Sequence, residues 1–371
     1  MPRRSSSRWS PRCRQAADGK RDCGGSSGGR FPVVDPASGE TIAQFAIASS
    51  DDCRSAVEAA AAAFPQWSQT PPRARSDLLY RAFEILRAER DFFAELMVRE
   101  NGKSWPDALA EAAYATEFFR WFAEEAVRVP GEFRLAPLGD KRIVVARQPM
   151  GVALLITPWN FPAAMATRKL GPALAAGCTT VLKPARETPL TAAYVVDVLA
   201  RAGAPTGVVN LVTPVPTGPI VAEMIAHPAV RKLSFTGSTE VGRELLRTCA
   251  DTVVSTSMEL GGNAAVIVLP GTDLDTVVPA AMQAKMRNGG SACTAANRFY
   301  VHGALVDGFI DRAVAILDDV QTGPGLNKAN TLGALVSVDE RDKVAELVDT
   351  AVRVGAAVVA GGKGLDGALY G

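Results

Sequence analysis

Between Val152 and Val268 the chain repeats one pattern, a run of four or five mostly apolar residues followed by a stretch with helical spacing. The runs are Val152 to Ile156, Thr179 to Leu182, Val208 to Val212, Lys232 to Phe235 and Ala264 to Val268. Short apolar runs alternating with helices predict an α/β protein with a parallel sheet, because parallel strands need crossovers and helical crossovers bury both sheet faces. Ligands lie beyond the carboxyl ends of such strands. Trp159 with Asn160, Lys183, and Gly237 with Ser238 stand at those ends.

Upstream, Asp35-Pro36-Ala37-Ser38-Gly39-Glu40 reads as a turn where order begins. Ser50-Asp51-Asp52 offers a cap for an alanine-rich helix reaching Phe64, Arg73 to Glu100 reads as one amphipathic helix, and Trp105 to Val127 as another. Phe133-Arg134-Leu135 and Arg142 to Ala146 flank Gly139-Asp140, a two-stranded ribbon. Residues 1–30, with arginines among serines and then Gly24-Gly25-Ser26-Ser27-Gly28-Gly29, read as a disordered tail whose composition also fits a transit peptide.

Composition narrows the function classes. A formal net charge of +1 implies no nucleic acid or other polyanion as partner, and no apolar segment is long enough to span a membrane. The cysteines at 13, 23, 53, 178, 249 and 293 lack paired or zinc-ribbon spacing, which favours a reducing, cytoplasmic setting. With only His227 and His302, a histidine metal site is poorly supplied and no metal is expected. Generic patterns also fall away: Gly24 to Gly28 lacks the strand and helix of a hydrolase elbow, and Gly362 to Gly367 lacks the helix that follows a dinucleotide fingerprint. Gly102-Lys103-Ser104 resembles the end of a phosphate-binding loop, but Met97 stands where its first glycine belongs.

Ser291-Ala292-Cys293-Thr294, preceded by Met258-Glu259-Leu260-Gly261-Gly262, pairs a candidate nucleophile with a candidate base. A lone cysteine is more often an inert buried residue than a reagent, and a lone glutamate is as often a solvated loop charge. Context must decide. Ile156-Thr157-Pro158-Trp159-Asn160-Phe161-Pro162, Leu182-Lys183-Pro184-Ala185, Ser234 to Gly242, and the Glu259 and Cys293 segments, in that order, resemble the aldehyde dehydrogenase superfamily from about Val33 onward. Phe161 to Gly177 and Lys285-Met286-Arg287-Asn288 look most like succinate-semialdehyde dehydrogenases.

The resemblance implies a Rossmann-like cofactor domain at 31–130 and 149–270, a β-hairpin oligomerisation element at 131–148, and a second α/β catalytic domain, incomplete, at 271–371. It implies a homo-oligomer, dimer or tetramer, acting on a small aldehyde. The chemistry also follows from the residue types. Oxidising an aldehyde requires a tetrahedral adduct that can expel hydride, and thiolate attack by Cys293 would form one. Asn160 and the Cys293 backbone N–H would donate to its oxyanion, one such donor being worth about 3 kcal/mol of barrier. A thioester remains after hydride loss, and Glu259 suits activation of the water that hydrolyses it.

For the cofactor, the resemblance implicates Thr157, Trp159, Asn160, Lys183, Pro184, Ala185, Arg186, Gly237, Ser238, Gly242 and Leu260. Gly237 and Gly242 bracket a strand-to-helix handover whose first N–H groups can face a pyrophosphate. Relatives preferring NAD usually carry glutamate at the Arg186 position; without that carboxylate, a guanidinium can pair with a 2'-phosphate, which predicts NADP with NAD also compatible. Arg168 and Arg287 match the arginines that grip the substrate carboxylate in succinate-semialdehyde dehydrogenases. Ala295 occupies the place of a second cysteine that forms a regulatory disulfide in some relatives, so no such switch is expected.

Two departures stand out. Ser291 replaces a glutamine common in relatives, and the chain stops at Gly371, before the family's Glu-x-Phe-Gly-Pro segment. Two readings therefore stand: an enzyme oxidising succinate semialdehyde or a similar carboxylated semialdehyde, and an inactive truncated fragment that at most binds dinucleotide or associates with full-length subunits. Exposed sheet edges are expected of a truncated chain.

Overall fold

The computed structural model describes residues 29–371, so nearly all of the basic tail lies outside the described residues, and Arg30 already belongs to the first strand. β1 (Arg30–Val34) pairs antiparallel with β2 (Thr41–Ala46) across the expected turn, closed by the Gly39 N–H on the Asp35 carbonyl at 2.8 Å. Four helices follow: α1 (Ser50–Ser68), α2 (Pro72–Ala88), α3 (Arg90–Asn101) and α4 (Trp105–Ala126). The cap of α1 is Ser49, whose hydroxyl takes the Asp52 N–H while the Asp52 carboxylate takes the Ser49 N–H, a reciprocal capping box.

The single helix expected over Arg73 to Glu100 is two. Glu89 leaves helical geometry between α2 and α3, and its carboxylate binds both terminal nitrogens of Arg201 at 2.8 Å and the Tyr194 hydroxyl. A long-range ion pair thus turns the chain where apolar periodicity continues.

β5 (Val152–Ile156), β6 (Thr179–Lys183), β7 (Val209–Leu211), β8 (Val230–Gly237) and β9 (Ser255–Leu260) form one parallel sheet in the order β7-β6-β5-β8-β9. Central β5 is buried throughout. Ala153 and Leu155 enter the core shared with α2 to α4, α5 (Pro162–Ala175) and α6 (Pro189–Arg201). Val152, Leu154 and Ile156 enter the core on the other face, formed with α1, α7 (Thr217–Ala226) and α8 (Thr239–Thr252). This two-sided burial is why the strand reads as a continuous apolar run.

One expected strand goes elsewhere. β10 (Ala264–Val268) pairs with β11 (Ala296–Val301) in a separate two-stranded parallel sheet and, with α9 (Leu274–Met286) and α10 (Val306–Asp318), builds a third, small core. The fifth strand of the main sheet is instead β9, whose alternating exposure conceals it from a search for apolar runs. The expected ribbon is present as β3 (Glu132–Leu135) against β4 (Arg142–Val145), and it stands clear of the core, with Phe133 72% and Leu138 89% exposed. α11 (Val338–Arg353) ends the regular structure.

Two buried carboxyl side chains seat the helices that carry the strand-end loops. Glu111 on α4 accepts the Ala163 and Ala164 N–H groups of α5 at 2.9 and 3.1 Å. Glu100 on α3 accepts the Leu190 and Thr191 N–H groups of α6, both at 2.8 Å. Burial pushes the Glu100 carboxyl up to about 8 from an ordinary 4.5, against the pull of those N–H donors. A carboxyl raised on folding keeps its proton in the native state, so its stabilisation is complete below the unfolded value and is lost as pH rises from about 4.5 to about 8. Glu100→Gln should therefore cost more stability at pH 5 than at pH 8, measured by denaturant unfolding at both; an equal cost would contradict the raised carboxyl.

Candidate active site

Every strand of the main sheet points its carboxyl end toward one rim. Thr157 follows β5 there, its N–H on the Lys183 carbonyl at 3.1 Å, so the ends of β5 and β6 are tied together. Gly237 ends β8 and Glu259 sits one residue from the end of β9. The chain order steps from central β5 to β6 on one side and β8 on the other, which opens a crevice at the switch.

The loop after α9 comes back over this rim. Asn160 Nδ2 donates to the Ser291 carbonyl at 2.8 Å, two residues before Cys293. A Cβ built on Gly262 would lie 4.0 Å from the Cys293 carbonyl oxygen, so the segment leaving β9 passes the cysteine backbone. Cys293, Asn160 and the Glu259 strand end are therefore brought together from three separate stretches of the chain. Among the described cysteines, Cys53, Cys178 and Cys249 are buried and Cys293 is exposed. Burial pushes the Cys53 thiol up to about 12 and also raises that of Cys249, leaving Cys293 as the accessible sulfur. Glu259 is exposed at its strand end.

Arg168 and Arg287 dock on neighbouring rings. Arg168 lies over Phe118 at 5.4 Å, and Arg287 over Tyr114 at 5.7 Å and Phe161 at 5.5 Å. Tyr114 and Phe118, one turn apart on α4, pack edge to face with centroids 4.9 Å apart. Cation–π contacts thus hold both guanidinium groups against one aromatic strip.

The proposed dinucleotide residues line the same rim. Pro184 and Ala185 are buried, and Lys183 is half-buried, its ammonium pushed to lower values by burial and partly restored by Glu187. Arg186 is exposed and stacks over Phe31 at 5.1 Å, which fixes the guanidinium beside the loop after β6. Ser238 caps α8 by accepting the Val241 N–H. A Cβ at Gly242 would come within 2.6 Å of a Leu260 side-chain methyl, so the first turn of α8 packs directly on the end of β9 and a larger residue would have to displace that leucine side chain. The amino-terminal end of a 14-residue helix, a lysine and an outer arginine suit a dinucleotide. No group of three or more His, Cys, Asp or Glu able to hold a metal occurs among the described residues, and no described helix is long and apolar enough to cross a membrane.

Two site residues escaped sequence reasoning. Lys169 is buried in α5, donates to Ser234 Oγ at 2.7 Å, and is pushed down to about 8 by burial, with Glu259 opposing the shift. Its only sequence signal is a lysine on a helix face otherwise made of Ala, Met and Leu. Lys103 is the other, buried beneath Asn160.

Residues 24–370 match the aldehyde dehydrogenase family over nearly the whole chain. The chain belongs to the aldehyde dehydrogenase family. The succinate-semialdehyde dehydrogenase of Paenarthrobacter nicotinovorans is 46% identical over 329 residues, covering 89% of this chain and 73% of that protein. The glutarate-semialdehyde dehydrogenase of Pseudomonas putida is 44% identical over 344 residues, covering 93% and 72%. Among solved structures, an NADP-dependent enzyme of E. coli superposes with a TM-score of 0.91 at 42% identity, covering 93% of this chain and 72% of its own. As an aldehyde dehydrogenase the chain is an NAD(P)-dependent oxidoreductase of α/β class, and its rim residues have the chemistry that aldehyde oxidation asks for.

Proposed function

We infer that this aldehyde dehydrogenase oxidises succinate semialdehyde or a similar carboxylated semialdehyde, with Cys293 as nucleophile, and that it prefers NADP. The observation that carries the reading is the bond from Asn160 Nδ2 to the Ser291 carbonyl, which sets an amide donor beside the exposed Cys293. Cys293 Sγ attacks the aldehyde carbon, and the second Asn160 Nδ2 hydrogen and the Cys293 N–H receive the oxyanion, each donor contributing about 3 kcal/mol. The dinucleotide, when bound, supplies the hydride acceptor. Glu259 then takes a proton from the water that attacks the thioester carbon, the Cys293 sulfur leaves, and the acid is released.

Thr157, Trp159, Lys183, Pro184, Ala185, Arg186, Gly237, Ser238, Gly242 and Leu260 hold the dinucleotide, and Arg168 with Arg287 binds the substrate carboxylate. The names of the similar proteins support this direction: two act on dicarboxylic semialdehydes and one is NADP-dependent. The main sheet with its helices forms the dinucleotide-binding half, which the pairing of β10 with β11 favours ending near Leu260 rather than 270. The half from there to 371 is catalytic, and the exposed ribbon at 131–148 joins copies in a cytoplasmic homo-oligomer. A second reading, a fragment that binds dinucleotide without turnover, is favoured by the bare small sheet, where Ile267 is 68% and Tyr300 55% exposed.

Formation of reduced dinucleotide from succinate semialdehyde, abolished in Cys293→Ala, supports the enzyme; dinucleotide binding with no turnover supports the fragment. Arg287→Met should raise KM for the carboxylated aldehyde about tenfold or more while changing that for a neutral aldehyde less than about twofold. Equal effects on both would remove the carboxylate clamp. Arg186→Glu should shift the ratio of kcat/KM for NADP over NAD by about tenfold or more toward NAD, and an unchanged ratio would contradict the role given to that guanidinium.

A further inference from the structure

We propose that Lys103 is a positioning residue for the nucleophile loop, its buried ammonium fixing the Asn288 carboxamide and through it the Ser291 carbonyl and Cys293. The inference rests on the reading of Cys293 as nucleophile. The Lys103 side chain is 3% exposed and its ion-pair partner Glu111 0%. Nζ donates to Glu111 Oε2, to the Asn160 carbonyl at 2.9 Å and to Asn288 Oδ1 at 2.7 Å. An ammonium has three hydrogens and no lone pair, so all three are spent, and Asn288 must turn its oxygen toward the lysine.

The Asn288 nitrogen therefore faces the other way, toward the Asn160 carbonyl at 2.9 Å and the Ser291 carbonyl at 3.4 Å. Its backbone N–H is held by Asp107 Oδ1 at 3.1 Å, and its φ of 55° lies in the left-handed region that asparagine tolerates. The residue is thus pinned at both ends as the chain enters Gly289-Gly290. The Asn160 carbonyl takes both Lys103 and Asn288, while its side chain reaches Ser291. The Asn160 carboxamide takes the Phe161 N–H on its oxygen and gives its nitrogen to Ser291, so the Ser291 carbonyl meets both that amide and the Asn288 carboxamide that Lys103 fixes.

The same pair reaches the substrate side. Glu111's other oxygen seats the first turn of α5, the helix that bears Arg168, and Lys103 Nζ lies 5.0 Å from the Phe161 ring that also carries Arg287. A buried ion pair is a weak source of stability, because desolvation consumes most of the attraction. Geometric specificity is what it can offer. The Gly102-Lys103-Ser104 segment, which lacks the rest of a phosphate-binding loop, has its use here.

The test uses the full chain in two variants. Lys103→Met with Glu111→Gln removes both charges together, so neither is left buried alone; Asn288→Asp keeps the shape, tolerates the backbone angle and still faces Lys103, but cannot donate to the two carbonyls. Amide hydrogen exchange of residues 286–295 should quicken about tenfold or more in both, with residues 152–156 of β5 as protected as in the parent. Turnover of succinate semialdehyde should lose about tenfold or more in kcat with both KM values within about twofold. Parent-like exchange of 286–295 in a variant whose β5 stays protected, or a loss confined to KM, overturns the positioning role. Should the double variant fail to fold, Asn288→Asp decides by the same readouts. A parent chain without turnover would defeat the reaction assigned to Cys293, while the exchange comparison would still support or overturn the positioning claim.

Discussion

The hydrogen bond from the Asn160 carboxamide to the Ser291 carbonyl is the constraint on which the site depends. Asn160 sits four residues beyond the end of β5, a strand buried along its whole length. Ser291 belongs to the loop that follows α9, whose Ala292 packs against the main core. The bond ties that loop to the segment leaving β5. A nucleophile carried on a loop gains its precision from such a contact, since loops by themselves are the mobile parts of a fold.

Cations concentrate around that bond. Lys103 lies beneath it, Lys169 beside the Glu259 strand end, Arg168 and Arg287 on the aromatic strip, and Lys183 with Arg186 at the end of β6. The chain as a whole is almost neutral, so this is a local arrangement. It suits the proposed reaction, whose participants would be a thiolate, an oxyanion, a carboxylate and a polyphosphate. The buried lysines are matched by acceptors, whereas the arginines rest on aromatic faces and keep their hydrogen-bonding edges available.

Much of the fold was legible because burial on two faces writes itself as unbroken apolar runs. β5 appears where such a run stands, β6, β7 and β8 where shorter mixed runs such as Lys232-Leu233-Ser234-Phe235 do, and the helices of the amino-terminal half where apolar residues keep helical spacing. β9 was illegible for the opposite reason: Ser255, Ser257 and Glu259 face solvent, so its residues alternate. Ala264 to Val268 misled because a run says that a strand is covered without saying by which sheet. The break at Glu89 depends on Arg201 and Tyr194, more than a hundred residues away, and no local signal could disclose it. Lys103 was hidden in a similar way, because its meaning lies in acceptors at 111, 160 and 288, the last of them 185 residues away. Cys293 and Glu259 could be singled out from the ordered set of motifs around them; the groups that hold them could not.

The account stands or falls on a covalent bond between Cys293 and the carbon of the aldehyde. Glu259→Gln should slow hydrolysis and let the acyl group accumulate, so rapid quenching of that variant after mixing with NADP and succinate semialdehyde, followed by peptide mass spectrometry, reads the bond directly. The account predicts an acyl adduct of the added semialdehyde on the Cys293 peptide. An unmodified Cys293 in a variant that still reduces the dinucleotide, or an acyl group carried by any other residue, would contradict it.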